Sequence, residues 1–328
     1  MERPYILHMF TPGRQMSPFD INMAADAGYQ IVVPYTEVGL EAISGLTQDT
    51  IFSRGPKGAA RTGIFLGGRD ALLAADMLDR AKAAMFKPFV VSLMADPSGA
   101  YTTAAALLAC VEAALRRAPG ATAASAAAAA TGGPASASAG GPAGALSGLS
   151  VLILGGTGPV GRIAGVIAAR CGAKVTLSSR GGTATADQAA RETGQRFQVE
   201  LQGASASDRA ALRESLAQAD VVLACAAAGM QVVSADDLLH ARLLKVAADL
   251  NAVPPEGIAG LGAMDDAKAL AGTRALGIGA LTVGNVKYQT QQRLLVQMRE
   301  TTVSLSFAEA FATAQAVLAD SAGAAKPS

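Results

Sequence analysis

The sequence predicts an α/β fold in two domains, each with helices laid against a largely parallel sheet. Three observations predict it. Short strand-like apolar runs alternate with amphipathic helical runs through both halves of the chain, the pattern that places helices on the faces of a parallel sheet. A stretch at 118–148, built almost wholly from alanine, glycine, serine, proline and threonine, divides the halves. The second half then opens on a glycine-patterned turn between a strand and a helix. With 328 residues the chain is long enough to bury two cores.

In the first half, residues 5–10, 30–34, 62–66 and 89–94 are the expected strands, and 18–27, 39–46, 70–85 and 102–117 the expected helices. Ser17-Pro18-Phe19-Asp20 marks a helix start, with an N-cap serine, proline at the first helical position and an acid at the third. Gly28 supplies the stop. No charged residue falls between Arg117 and Arg162, and the low-complexity part lacks the large apolar side chains that offset ordering entropy, so 118–148 is expected to be a linker. In the second half, strands are expected at 150–154, 174–178, 220–224, 244–249 and 274–277, with helices between them. Helical patterns at 285–299 and 304–318 close the chain, with 319–328 expected to fray. The expected division is a first domain at 1–117, the linker, a second domain at 149–284, and helices at 285–328 that return to the first domain.

Composition narrows the function classes. Hydrophobic residues make up 51% and charged residues 16%, yet the apolar excess is largely alanine, and no run suggests a membrane association. The first residues carry no basic segment followed by an apolar core, so a cytoplasmic location is expected. A net charge of +1 offers nothing general to nucleic acid. Cys110, Cys171 and Cys225 are far apart and only His8 and His240 accompany them; free thiols and no metal site are expected.

Gly156-Thr157-Gly158-Pro159-Val160-Gly161 matches G-x-G-x-x-G. It directly follows the apolar run Val151-Leu152-Ile153-Leu154 and precedes a helical pattern that stops at Gly172, the context a dinucleotide-binding Rossmann domain requires. Gly156 is expected to make the tight turn, Gly158 to admit the pyrophosphate, and Gly161 to let helix and strand pack closely. The next strand ends Leu177-Ser178-Ser179-Arg180, without the carboxylate that would hold a ribose diol. Arg180 can pair with a 2′-phosphate and Ser178 or Ser179 can donate to it, which favours NADP, with NAD as a possible second cofactor; the bland alternative is a solvated arginine at a strand end. The small run from Ala226 to Gly229, Ala227 included, could let the backbone approach the cofactor or serve tight packing alone. Asp249 and Asn251, at a strand's carboxyl end, could approach the nicotinamide.

Several runs carry a family resemblance: Ser17-Pro18-Phe19-Asp20-Ile21-Asn22, Thr62-Gly63-Ile64-Phe65-Leu66-Gly67-Gly68, Ala95-Asp96-Pro97-Ser98-Gly99-Ala100-Tyr101-Thr102-Thr103, Ala248 to Ile258, and Gly277 to Gln291. In combination they resemble the NAD(P)-dependent methylene-tetrahydromethanopterin dehydrogenases of methylotrophic bacteria, over nearly the whole chain except a linker longer than expected for that family. The resemblance implies oxidation of 5,10-methylene-tetrahydromethanopterin to the methenyl cation, a step of formaldehyde oxidation in one-carbon metabolism. It also implies a pterin site in the cleft between the domains and a homo-oligomer, with a trimer as one arrangement.

The donor carbon of such a substrate lies between two nitrogens that stabilise the resulting cation, so orientation and electrostatics suffice and no proton-transfer triad is needed. Asp20 and Asp96, each following a first-domain strand, are the candidate carboxylates for that cation. For Asp20 the alternative is a helix-capping acid, for Asp96 a turn-forming one. Lys287, on the return to the first domain, could hold a pterin carbonyl or be a plain surface lysine. Asn22, Ser98, Thr102, Thr103 and Gln289 are the candidate substrate contacts, the two threonines serving equally as helix caps. Other readings stay open: the same reaction on tetrahydrofolate, a shikimate-dehydrogenase-like oxidoreductase, or a non-catalytic NADP-binding regulator.

Overall fold

The computed structural model describes residues 3–118 and 144–324, so most of the expected linker lies outside the described residues. In chain order the elements are β1 (Ile6–Phe10), α1 (Pro18–Asp26), β2 (Ile31–Tyr35), α2 (Ile43–Phe52), α3 (Gly55–Ala59), β3 (Thr62–Leu66), α4 (Ala71–Ala83), β4 (Ser92–Ala95) and α5 (Ala100–Arg117). There follow β5 (Ser150–Leu154), α6 (Pro159–Arg170), β6 (Lys174–Ser179), α7 (Thr183–Phe197), β7 (Gln202–Ser205), α8 (Arg209–Ala217), β8 (Val221–Ala224) and α9 (Ala235–Leu238). The last are β9 (Val246–Asp249), β10 (Lys268–Ala269), β11 (Leu276–Ile278), α10 (Ala280–Glu300), β12 (Ser304–Leu305) and α11 (Phe307–Ala324).

The chain folds as two units, Met1–Thr103 with Lys287–Val317, and Ala104–Val286 with Leu318–Ser328. The first holds a five-stranded parallel sheet in the order β12-β4-β3-β1-β2. Every residue of β3 and β4 is buried, as expected for inner strands covered on both faces, whereas β2, at the edge, is half exposed and tolerates Pro34. Leu7, Met9, Ile64, Phe65 and Leu93 form the buried interior of this sheet. The second unit holds seven strands in the order β10-β11-β9-β8-β5-β6-β7, all parallel except the β10–β11 pair. Order reverses at β5, whose neighbours are β8 and β6, so the glycine turn after β5 stands at the switch point where such sheets bind ligands.

Several boundaries differ from expectation for local reasons. β4 begins at Ser92, not Phe89, because the Phe89 amide donates to Phe86 O in a tight turn (2.7 Å). The helix expected at 39–46 becomes a 3₁₀ turn, Leu40–Ala42, running into α2, which continues to Phe52 by burying Thr47, Thr50 and Ile51. α10 starts at Ala280 and passes straight through Gly284, and α11 stays helical to Ala324 where fraying was expected from residue 319. Among the described residues one helical span, Pro97–Arg117, is long and apolar enough to cross a membrane, and 83% of its most apolar 18-residue window is buried, as in a core helix.

Candidate active site

The dinucleotide turn is built by backbone crowding. Gly155, at φ +73°, makes the tight turn in place of the expected Gly156; a side chain at Gly155 would also meet Cys225 O at 2.7 Å. Gly156 lies instead against β6, where a Cβ would stand 2.8 Å from Leu177 Cα. Gly158 is the N-cap of α6 and Pro159 its first residue, so the amides of Val160 and Gly161 precede the first helical bond, from Arg162 N–H to Gly158 O (2.9 Å). Such first-turn amides form an anion site with the helix dipole behind them. Arg162 braces the turn, donating to Thr157 O (3.0 Å) and pairing with Glu192 (3.0 Å).

Around this turn opens a cavity of about 600 Å³, walled by Gly155, Thr157, Gly158, Ser178, Ser179, Arg180, Ala227 and the loop Ser207-Asp208-Arg209. Ser178 is 1% exposed, and its hydroxyl has no hydrogen-bond partner among the described residues. A buried orphan donor on a cavity wall fits a dinucleotide carrying hydroxyls and phosphates. Asp208 faces the same space but caps α8, accepting from Ala211 N–H (2.9 Å), while Arg209 pairs with Asp237 (2.5 Å). Asn251 does not line this cavity. Its oxygen accepts from the Gly229 and Val253 amides (3.0 and 2.9 Å) and its amide donates to Pro255 O (2.7 Å), so the side chain braces its own loop.

A second cavity, of about 930 Å³, lies in the first unit, walled by residues 11–20, Gly68, Arg69, Asp70, Ser98, Gly99, Thr103 and Lys287. Asp20 sits at its wall as a first-turn acid of α1, its amide donating to Ser17 Oγ (3.4 Å). The carboxylate is 3% exposed and accepts from Gln291 Nε2 (2.8 Å). Burial, and then the Asp96 charge, push its pKa up to about 6. Lys287, two turns into α10, donates to Gln291 Oε1 (2.5 Å) and rests its ammonium 3.8 Å from the Phe19 ring centre. Burial lowers its pKa, with Asp96 and Asp20 opposing.

Asp96 is electrostatically coupled to both groups yet does not reach the cavity wall. Fully buried, it accepts from the Tyr101 and Thr102 amides (2.9 and 3.1 Å) and from the Thr102 hydroxyl (2.7 Å), which ties it to the start of α5 and uses up Thr102 as well. Burial raises its pKa, with Lys287 and these bonds opposing. Ser98 and Thr103 face the cavity, Ser98 at φ 50° with its hydroxyl donating to Gly68 O (2.8 Å). Asn22 is exposed and Gln289 half-buried, and neither lines the cavity.

Residues 18–98 match the family model "Methylene-tetrahydromethanopterin dehydrogenase, N-terminal". The chain is 42% identical over 295 residues to the NAD(P)-dependent methylenetetrahydromethanopterin dehydrogenase of Methylorubrum extorquens, covering 90% of this chain and 92% of that one. The chain belongs to the methylene-tetrahydromethanopterin dehydrogenase family. It is also 30% identical over 304 residues to Bifunctional protein MdtA of the same organism, covering 93% and 95% of the two chains. Among solved structures, shikimate 5-dehydrogenase from Listeria monocytogenes aligns at a TM-score of 0.46 and 15% identity, over 90% of this chain and 92% of that one, too loose a likeness to carry a conclusion.

In this member of the methylene-tetrahydromethanopterin dehydrogenase family, two features, one on a cavity wall and one buried behind Asp20, had little sequence signal. Ser207 and Arg209 follow β7, whose Gln202-Gly203-Ala204-Ser205 has no apolar alternation to announce a strand. Gln291 meets Asp20 across 271 positions of chain, and only its i, i+4 spacing from Lys287 on a helix hinted at a partnership.

Proposed function

We propose that this chain oxidises 5,10-methylene-tetrahydromethanopterin to the methenyl form with NADP⁺, and more slowly with NAD⁺, as a cytoplasmic homo-oligomer. The observation that carries the reading is the 42% identity, spread over 90% of the chain, to a dehydrogenase named for that substrate. Geometry supports it at both cavities. Thr157, Gly158 and the first amides of α6 would hold the pyrophosphate, and Ser178, Ser179 and Arg180 the adenosine 2′-phosphate, in a wall where β6 ends without a carboxylate. The nicotinamide, when bound, supplies the hydride acceptor.

Loss of hydride leaves positive charge shared over an N–C–N unit. In the second cavity the Asp20 carboxylate stabilises that charge, in a setting dry enough to make the attraction count. Lys287, anchored by Gln291 and the Phe19 ring, directs its amine to a polar edge of the carrier. Asp96 contributes through its field, held in place by α5, and makes no direct contact. An oligomer is supported by the aromatic trio Phe52, Phe86 and Phe89, whose first two members are each 52% exposed. The test is reduced-nicotinamide absorbance with methylene-tetrahydromethanopterin and each dinucleotide in turn. A rise with NADP⁺ exceeding that with NAD⁺ is expected; turnover of methylene-tetrahydrofolate alone would replace the carrier, and silence with both carriers would discard the reading.

A further inference from the structure

We propose that Gln291 is a positioning residue for this reaction, its side-chain amide acting as a spacer that holds the Asp20 carboxylate and the Lys287 amine apart and separately aimed. The inference rests on the reading of the second cavity as the carrier site. Gln291 is completely buried, one turn beyond Lys287 on α10. Its Nε2 donates to Asp20 Oδ1 at 2.8 Å while its Oε1 accepts from Lys287 Nζ at 2.5 Å. An amide has direction: the NH₂ end only donates and the carbonyl end only accepts. Asp20 Oδ1 is therefore committed as an acceptor, and any proton Asp20 binds must sit on Oδ2. Rotating the amide by half a turn would set donor against donor and acceptor against acceptor, so one orientation holds.

Without the amide, an ammonium and a carboxylate on one weakly solvated wall attract each other into direct contact and neutralise the field each would exert on a bound carrier. The charged groups facing this point are Asp20 from α1, Asp96 from the end of β4 and Lys287 from α10. Asp96 takes its three hydrogen bonds from Tyr101 and Thr102, so its anchoring does not pass through Gln291. Burial raises the Asp20 pKa and lowers that of Lys287, and the attraction between the two groups opposes both shifts.

The experiment compares wild type with Gln291→Leu and the nearly isosteric Gln291→Glu by kcat and KM against pH, alongside the pH dependence of Lys287 acylation mapped by mass spectrometry. For Gln291→Leu, kcat should fall about 10- to 100-fold with KM changed by less than about threefold, and the acid limb of the rate profile should move to lower pH as Asp20 pairs directly with Lys287. Gln291→Glu should shift Lys287 acylation to higher pH, because a carboxylate then faces the amine. Should Gln291→Leu not fold, the Glu variant alone decides. Unchanged rate and acylation profiles with only a lowered melting temperature would reduce Gln291 to a packing residue and overturn the proposal. Wild type inert with every methylene-pterin would remove the functional reading, while the acylation profiles would still report whether the amide separates the two groups.

Discussion

Asp20 is held in a form that its unfolded counterpart does not share. Its folded pKa, about 6, lies above the unfolded value, so the stability it confers is complete below about pH 4 and is lost as pH rises through 6. Asp20→Asn keeps an oxygen to accept from Gln291 and removes the buried charge. Urea titrations should show it more stable than wild type by on the order of 1–3 kcal/mol at pH 8, with the gap narrowing below about pH 6 and closing near pH 4, while its turnover falls. On the proposed role of Asp20, the wild-type rate should likewise decline as pH drops through about 6, since protonation removes the negative charge assigned to the product cation. At the other cavity, Arg180→Ala should raise KM for NADP⁺ about 10- to 100-fold and leave NAD⁺ nearly unchanged in steady-state assays; equal losses with both would remove the 2′-phosphate role. The placement of Asp20 and Lys287 on one cavity wall was legible, Asp20 from the helix start Ser17-Pro18-Phe19-Asp20 and Lys287 from the run that carries the resemblance. The service of Asp96 to α5 was not, since the same Asp-Pro-Ser-Gly turn suits either a cavity acid or a helix brace until its hydrogen bonds are seen.

At the scale of elements, the turn between β5 and α6 separates glycines that pack from the one that leaves room. A methyl at Gly156 would press on Leu177 Cα and Ile153 O at 2.8 and 2.9 Å, backbone and strand that cannot yield, whereas at Gly158 the nearest atom is Gly155 O at 3.4 Å. Gly156→Ala should therefore cost roughly 1–3 kcal/mol in thermal unfolding. Gly158→Ala should fold nearly as wild type but bind dinucleotide more weakly by calorimetry; full affinity would remove Gly158 from the pyrophosphate site. This turn could be read in advance because strand, glycines and helix are contiguous and each constraint is local. β7, α3 and β12 could not. β7 is polar and small, α3 begins Gly-Pro, and β12 has two residues whose strand character exists only through pairing with Leu93 and Met94. β3 was plain, because an inner parallel strand buried on both faces reads as a near-continuous apolar run, whereas the apolar run 89–94 overran the true start of β4 at Ser92.

Over the whole molecule, the first unit is assembled from distant parts of the chain. Ser92 Oγ donates to Met298 O (2.8 Å) and the Leu93 amide to Val303 O (2.8 Å), and Leu294, Leu295, Met298 and Leu305 are all buried. A fragment ending at residue 118 lacks these groups together with Lys287 and Gln291. It should show little protection in hydrogen exchange, while the full chain protects β3 and β4; a stable, protected fragment would mean that the late residues are dispensable to this sheet.

The place of β12 beside β4 also sets a schedule for synthesis. A ribosome finishes β4 roughly 10–40 s before residue 305 emerges, at about 5–20 residues per second. Throughout that interval the nascent sheet exposes Leu93, Met94 and Ala95, together with the unpaired amides and carbonyls of β4, a surface that invites aggregation or a chaperone. The seven-stranded sheet, although it starts later, has all its strands translated first.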